Sequence, residues 1–186
     1  MLTLTTLASG SSGNCALVSD GTTHLLIDAG ISARRITTAL KALGIAPQSL
    51  SGVLVTHEHT DHISGLATLT KQLDTLLYAS GGTARAMGRK LPLPEGRVRT
   101  FRPGETFSIG ALEVETFPTP HDAAESTGYA ISAGGRKAAV VTDLGYVTAA
   151  VAQGIRGAHL LLAEANYEPE WLQCGPYPAY VKARIQ

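Results

Sequence analysis

Three histidines and one aspartate fall within six consecutive residues, His57-Glu58-His59-Thr60-Asp61-His62. Imidazole nitrogens and carboxylate oxygens are the donors that zinc takes, and manganese or iron as well, in preference to the all-oxygen shells of calcium and magnesium. Polar groups packed this tightly after a buried strand would compete for few partners, so a structural role accounts poorly for them. Along an extended segment His57 and His59 project to the same side, while Asp61 and His62 lie on the turn beyond, so two neighbouring ions can each draw on the motif. The helical zincin pattern His-Glu-x-x-His begins at His57-Glu58 but needs a histidine where Asp61 stands, and that reading fails. The chemistry indicated is metal-assisted hydrolysis.

A site of this kind needs ligands from other loops. His121 follows a Pro-bounded strand end, Pro118-Thr119-Pro120, and Asp143 ends the apolar run Ala138–Thr142. His24 and His159 open apolar strands and read as structural. Cys15 and Cys174 match no CxxC spacing, so neither a thiolate zinc site nor a disulfide framework is indicated, and a reduced cytosol fits best. The loop Ser9–Asn14, rich in Gly and Ser, can offer backbone N–H groups to a phosphate or form a tight turn beneath the metals. It lacks the Gly-Lys-Ser/Thr ending of a P-loop. Ser126 and Thr127 are ambiguous, and no Ser-His-Asp triad is readable.

The elements that must position these residues alternate between strand and helix. Strands are predicted at Leu2–Leu7, Ala16–Ser19 and His24–Ile27, with Asp20-Gly21 as a hairpin turn. A helix follows over Ser32–Leu43, with Ser32 as N-cap and Gly44 as stop. The buried strand Val53-Leu54-Val55 runs into the histidine cluster, and a helix from Ser64 to about Leu73 leaves it. Beyond these come a strand at Leu76–Ala79, a helix at Thr83–Lys90, and a hairpin of Thr106–Ile109 with Leu112–Phe117. A second hairpin pairs Gly128–Ser132 with Ala138–Thr142, and a helix at Tyr146–Gln153 precedes a final strand, His159–Ala163. The pattern predicts a layered α/β domain with helices outside; it does not give the strand order.

With 186 residues, 44% hydrophobic and 16% charged, the chain can bury a core, and one domain over residues 1–186 is the simplest organisation. The formal charge is zero, so overall charge neither attracts nor excludes nucleic acid. Arg85, Arg89, Lys90, Arg97, Arg99 and Arg102 nevertheless cluster, either as a basic surface or as a solvated face without a partner. No signal-peptide leader or membrane-spanning run is readable, and a soluble cytoplasmic protein is expected.

The motif at 57–62, with Asp28 in Leu26-Ile27-Asp28-Ala29-Gly30, His121 and Asp143, resembles the metallo-β-lactamase superfamily across nearly the whole chain. Ser9-Gly10-Ser11-Ser12-Gly13-Asn14, Glu164-Ala165-Asn166 and Gly175-Pro176-Tyr177-Pro178 resemble its YycJ/WalJ branch, small bacterial proteins regarded as DNA exonuclease-like phosphodiesterases. The resemblance implies an αββα four-layer sandwich and two divalent ions, zinc or manganese. It implies that His57, His59 and His121 hold one ion, Asp61 and His62 the other, and that Asp143 bridges both, with Asp28 behind the ligands. A hydroxide bridging the ions would attack phosphorus, and Asp61 would also orient it as a catalytic residue. Such relatives continue to a Gly-His-Leu-Ser-Asn-like segment whose histidine completes the second metal set. Here the chain stops at Lys182-Ala183-Arg184-Ile185-Gln186, so a C-terminally incomplete domain with an incomplete second site is expected.

Three functions compete. The first is a nuclease or phosphodiesterase with DNA as substrate. The second is hydrolysis of a small ester, thioester or lactam, which the same hydroxide can perform. The third is a metal-binding protein without turnover, motivated by the missing histidine.

Overall fold

A computed structural model describes residues 1–163; the predicted features at Glu164–Asn166, Cys174, Gly175–Pro178 and the chain end lie outside the described residues. The first sheet contains β1 (Thr3–Ala8), β2 (Cys15–Ser19), β3 (His24–Ile27), β4 (Leu50–Leu54), β5 (Leu77–Ser80) and β6 (Val98–Phe101), in sequential order. Pairing is antiparallel from β1 to β3 and parallel from β3 to β6. The second sheet contains β7 (Thr106–Ile109), β8 (Leu112–Pro118), β9 (Thr127–Ala133), β10 (Arg136–Val141) and β11 (Leu160–Ala163), in the order 11-10-9-8-7. It is antiparallel except where β10 meets β11.

Strand alternation sorts the apolar side chains into three layers. Leu25, Ile27 and Leu54 of the first sheet face Val114, Ile131, Ala138 and Val140 of the second, forming the core between them. Leu26, Val53 and Leu77 point the opposite way, against Ile36 and Leu40 of α1 (Ala33–Ala42) and Leu66 and Leu69 of α3 (Leu66–Gln72). Met87 of α4 (Gly81–Lys90) joins that cluster. On the far face of the second sheet, Phe117, Ala130, Ala139 and Val141 pack against Val151 of α5 (Ala149–Ile155). The result is the four-layer α/β/β/α sandwich. Buried Tyr129 ties the sheets together, donating its hydroxyl to the Val55 carbonyl at 2.6 Å.

The predicted helix from Ser64 is α3, and a short unpredicted helix, α2 (Thr60–Ile63), precedes it within the motif, with a break at Ser64–Gly65. A Cβ on Gly65 would lie 2.1 Å from the Ile31 carbonyl, so the break belongs to a backbone crossing that periodicity does not show. The strand β6 was not predicted. Val-Arg-Thr-Phe exposes its middle residues on a sheet edge and carries no apolar alternation. The last helix starts at Ala149, capped by the Thr148 hydroxyl, three residues later than the predicted Tyr146, which is exposed.

Candidate metal centre

Every candidate ligand leaves the end of a strand. Asp28 follows β3, the 57–62 motif follows β4, His121 follows β8 and Asp143 follows β10. β3, β4 and β10 each have a parallel neighbour, and loops beyond the carboxyl ends of such strands are where α/β folds gather ligands; β8, which leads to His121, is antiparallel.

The ligand atoms of His57, His59 and His121 all lie within 4.8 Å of one another, and so do those of His57, His62 and Asp143. His57 therefore belongs to both groups. His121 Nε2 stands 3.1 Å from His59 Nδ1, and His62 Nε2 stands 2.9 Å from Asp143 Oδ2. Asp61 borders the second group, its Oδ2 3.5 Å from His62 Nε2 and its side chain 32% exposed. The six predicted residues are thus brought together, with His57 shared and Asp61 at the rim.

The proton positions follow from the neighbours. Thr56 is buried, and its hydroxyl donates to Asp28 Oδ2 at 2.8 Å, so Thr56 Oγ1 in turn accepts from His57 Nδ1 at 3.0 Å. Asp28 Oδ2 also accepts from His62 Nδ1 at 2.7 Å, and Asp28 Oδ1 takes the Thr56 amide at 2.8 Å. One carboxylate, directly and through Thr56, thus holds the Nδ1 protons of two imidazoles and turns both Nε2 atoms toward the centre. His57 Nε2 is fully buried and has no hydrogen-bond partner among the described residues. A buried polar nitrogen left bare is costly, and a cation at the convergence of these donors satisfies it. The donor set therefore fits a divalent metal.

The electrostatics are those of a crowded cluster. Burial, reinforced by the charge on His62, pushes His57 down to about 2. Burial also opposes charge on His62, but Asp28 and Asp143 outweigh it and lift His62 to about 10. Asp143 is brought down to about 2, since its bond to His62 and that residue's charge overcome its own burial. Asp28 (φ 61°) and Asp143 (φ 53°) are the only non-glycine residues with left-handed backbone among the described residues. Such a conformation costs about 1 kcal/mol, and both instances fall at this site.

The second predicted loop lies directly beneath. Asn14 N donates to the Asp61 carbonyl at 2.7 Å, and Gly30 N donates to the Asn14 carbonyl at 2.8 Å. Cβ atoms on Gly13 and Gly30 would sit 2.3 Å from the Gly30 oxygen and 1.6 Å from the Asp61 oxygen. The glycines of both motifs exist so that three backbones can stack under α2. Asn14 Oδ1 takes the Gly10 amide, which turns its NH2 toward Asp61 Oδ2 at 3.4 Å and His62 Nε2 at 3.1 Å. The loop is a brace under the ligands, and it also lines a cleft of about 640 Å³ with Asp61, His121 and Asp143.

Sequence reasoning missed Thr56. Its signal was available: a polar residue between a buried strand and the motif. Ser126 and Thr127 are braces, Ser126 Oγ pairing with Thr119 Oγ1 at 2.7 Å and Thr127 N donating to the Thr56 carbonyl at 3.0 Å. His24 bonds Ser19 Oγ at 2.8 Å, and His159 Nδ1 accepts the Lys137 amide at 3.2 Å, as structural residues do. Cys15 is buried, which pushes its thiol far above its ordinary value. The basic segment is divided: Arg85, Arg89 and Lys90 are exposed on α4, whereas Arg97 pairs with Asp74. No helix among the described residues is long and apolar enough to cross a membrane.

Two sheets packed face to face, helices outside, and a histidine and aspartate cluster at the strand ends define a metal-dependent hydrolase. The chain belongs to the beta-lactamase superfamily, whose domain matches residues 23–183. It is 39% identical over 180 residues to exodeoxyribonuclease YycJ of Bacillus anthracis, covering 96% of this chain and 68% of that protein. It is 35% identical over 182 residues to exodeoxyribonuclease WalJ of Streptococcus pneumoniae, with the same coverages. Among solved structures, zinc-bound PqqB from Methylobacterium extorquens shares the fold with a TM-score of 0.71 at 23% identity, over 89% of this chain and 73% of that one. YhfI from Bacillus subtilis does so with a TM-score of 0.70 at 16% identity, over 90% and 72%.

Proposed function

We propose that this hydrolase is a cytoplasmic DNA exonuclease, a phosphodiesterase working with two divalent ions, zinc or manganese. The observation that carries the reading is the pair of ligand groups sharing His57, in a chain 39% identical to a protein named exodeoxyribonuclease. In this reading His57, His59 and His121 would hold one ion, Asp61 and His62 the other, and Asp143, which is grouped with His57 as well as His62, would serve both. Divalent ions so held supply a nucleophile at neutral pH and neutralise charge building on phosphate oxygens.

The chain's own residues do the rest. Asp28 and Thr56 keep protons on the outward nitrogens of His62 and His57, so that both imidazoles present lone pairs inward. Asn14 steadies Asp61 through backbone and side chain, and Asp61 orients the attacking water. The cleft beside them admits a strand end.

The test is purified protein with added zinc or manganese, given end-labelled linear DNA, single-stranded and duplex. Closed circular DNA, a bis-aryl phosphodiester and a chromogenic β-lactam complete the set. Linear DNA is expected to be degraded from an end while circles persist. Linear DNA left intact while the lactam is consumed would overturn the reading in favour of small-molecule hydrolysis. No turnover of any substrate by metal-loaded protein would favour metal binding alone.

A further inference from the structure

Glu58 sits inside the ligand motif, yet no ligand group includes it. In an extended segment it projects opposite to His57 and His59, away from the cluster. The residue is 8% exposed, and its Oε1 accepts the backbone N–H of Ala124 at 2.9 Å. Ala124 lies three residues beyond His121, on the loop that delivers this histidine to the other two. The Glu58 carbonyl is held in turn by Lys90 Nζ at 3.0 Å.

The rest of that loop is pinned elsewhere. Glu125 Oε2 takes the Gly82 amide at 2.7 Å, and the Glu125 carbonyl accepts from Ser80 Oγ at 2.7 Å and Thr83 Oγ1 at 3.1 Å. Those bonds tie the loop to the start of α4. Glu58 ties the loop to the motif itself.

We infer that Glu58 is a positioning residue: its carboxylate holds the 121–126 loop against the segment bearing His57 and His59, and so sets where His121 stands in the three-histidine group. The inference rests on the reading of that group as a metal site. The contact needs an acceptor at Oε1 and does not need charge. Glu58 Oε2 has no hydrogen-bond partner among the described residues, so an amide there breaks no bond.

Cobalt serves as the probe, read by the visible spectrum of the loaded protein and by chelator competition for the first equivalent. Glu58→Gln keeps the acceptor and is expected to keep spectrum and affinity. Glu58→Ala is expected to change the spectrum and to lower that affinity about 10–100-fold, the usual effect of losing a group that orients a ligand. If Glu58→Ala does not fold, Ala124→Pro removes the same bond from the other side and carries the same expectation. Glu58→Ala binding as wild type does, or Glu58→Gln falling as far as Glu58→Ala, would overturn the inference. Wild-type protein that takes up no cobalt would overturn the metal-site reading and this inference with it.

Discussion

Asp28 Oδ2 lies 2.7 Å from His62 Nδ1, and the same oxygen, through the Thr56 hydroxyl, governs His57 as well. A carboxylate one strand away from the motif thus decides which nitrogen each imidazole turns inward. Asp28→Asn supplies one acceptor oxygen where the carboxylate serves three donors, so at least one buried donor loses its partner. Metal affinity or activity is expected to fall about 10–100-fold. Stability should drop by about 1–3 kcal/mol. Metal analysis and urea unfolding of the variant check both.

The cluster makes the chelator-treated protein most stable near neutral pH. His57 has its folded value lowered from 6.5 to about 2, so the unfolded chain takes up the proton first and stability falls as pH drops below 6.5. Asp143, lowered from 3.8 to about 2, loses its contribution over the more acidic part of that range. His62 is raised from 6.5 to about 10, so its contribution is full below 6.5 and disappears as pH rises to about 10. Urea midpoints across pH should fall on both sides, with His62→Ala flattening the alkaline side and His57→Ala the acid side. Parallel profiles for wild type and His62→Ala above pH 7 would contradict this assignment.

Glycine is required at 30 and is a liability at 88. A methyl group on Gly30 would collide with the Asp61 carbonyl at 1.6 Å, whereas one on Gly88, within α4, meets nothing within 4 Å. Gly30→Ala is expected to cost about 3 kcal/mol or more through forced displacement of the stacked loops. Gly88→Ala should instead add about 0.4–1 kcal/mol by restricting the unfolded chain. Thermal melts of the two variants should shift in opposite directions.

Tyr129→Phe removes the hydroxyl that reaches the Val55 carbonyl across the sheet interface. The ring keeps its packing, but a buried carbonyl loses its donor, at a cost of about 1–3 kcal/mol. Because Val55 leads into Thr56 and His57, amide exchange at the start of the motif should accelerate with the loss of stability. Exchange unchanged there would show that the bond does not steady the motif.

Much of this protein was legible from residues alone, and the limits are physical. The short apolar runs in His24–Ile27 and Ala138–Val141 mark strands buried on both faces, because each face meets a different apolar layer. Ser32 and Gly44 bound α1 as capping chemistry requires. The candidate ligands were marked by residue type, since three imidazoles in six positions have few structural uses. What sequence by itself could not decide was assembly: that His57 is common to both candidate ligand groups, that Thr56 relays Asp28 to His57, that Glu58 faces Ala124, and that the motif itself winds into the short helix α2 ahead of Gly65. Each depends on residues from distant stretches of chain meeting at one edge of two sheets. Sequence spacing reports local periodicity and the chemistry of donors; which donors share a centre is set by strand order and loop crossing, and these arise only when the sheets pack.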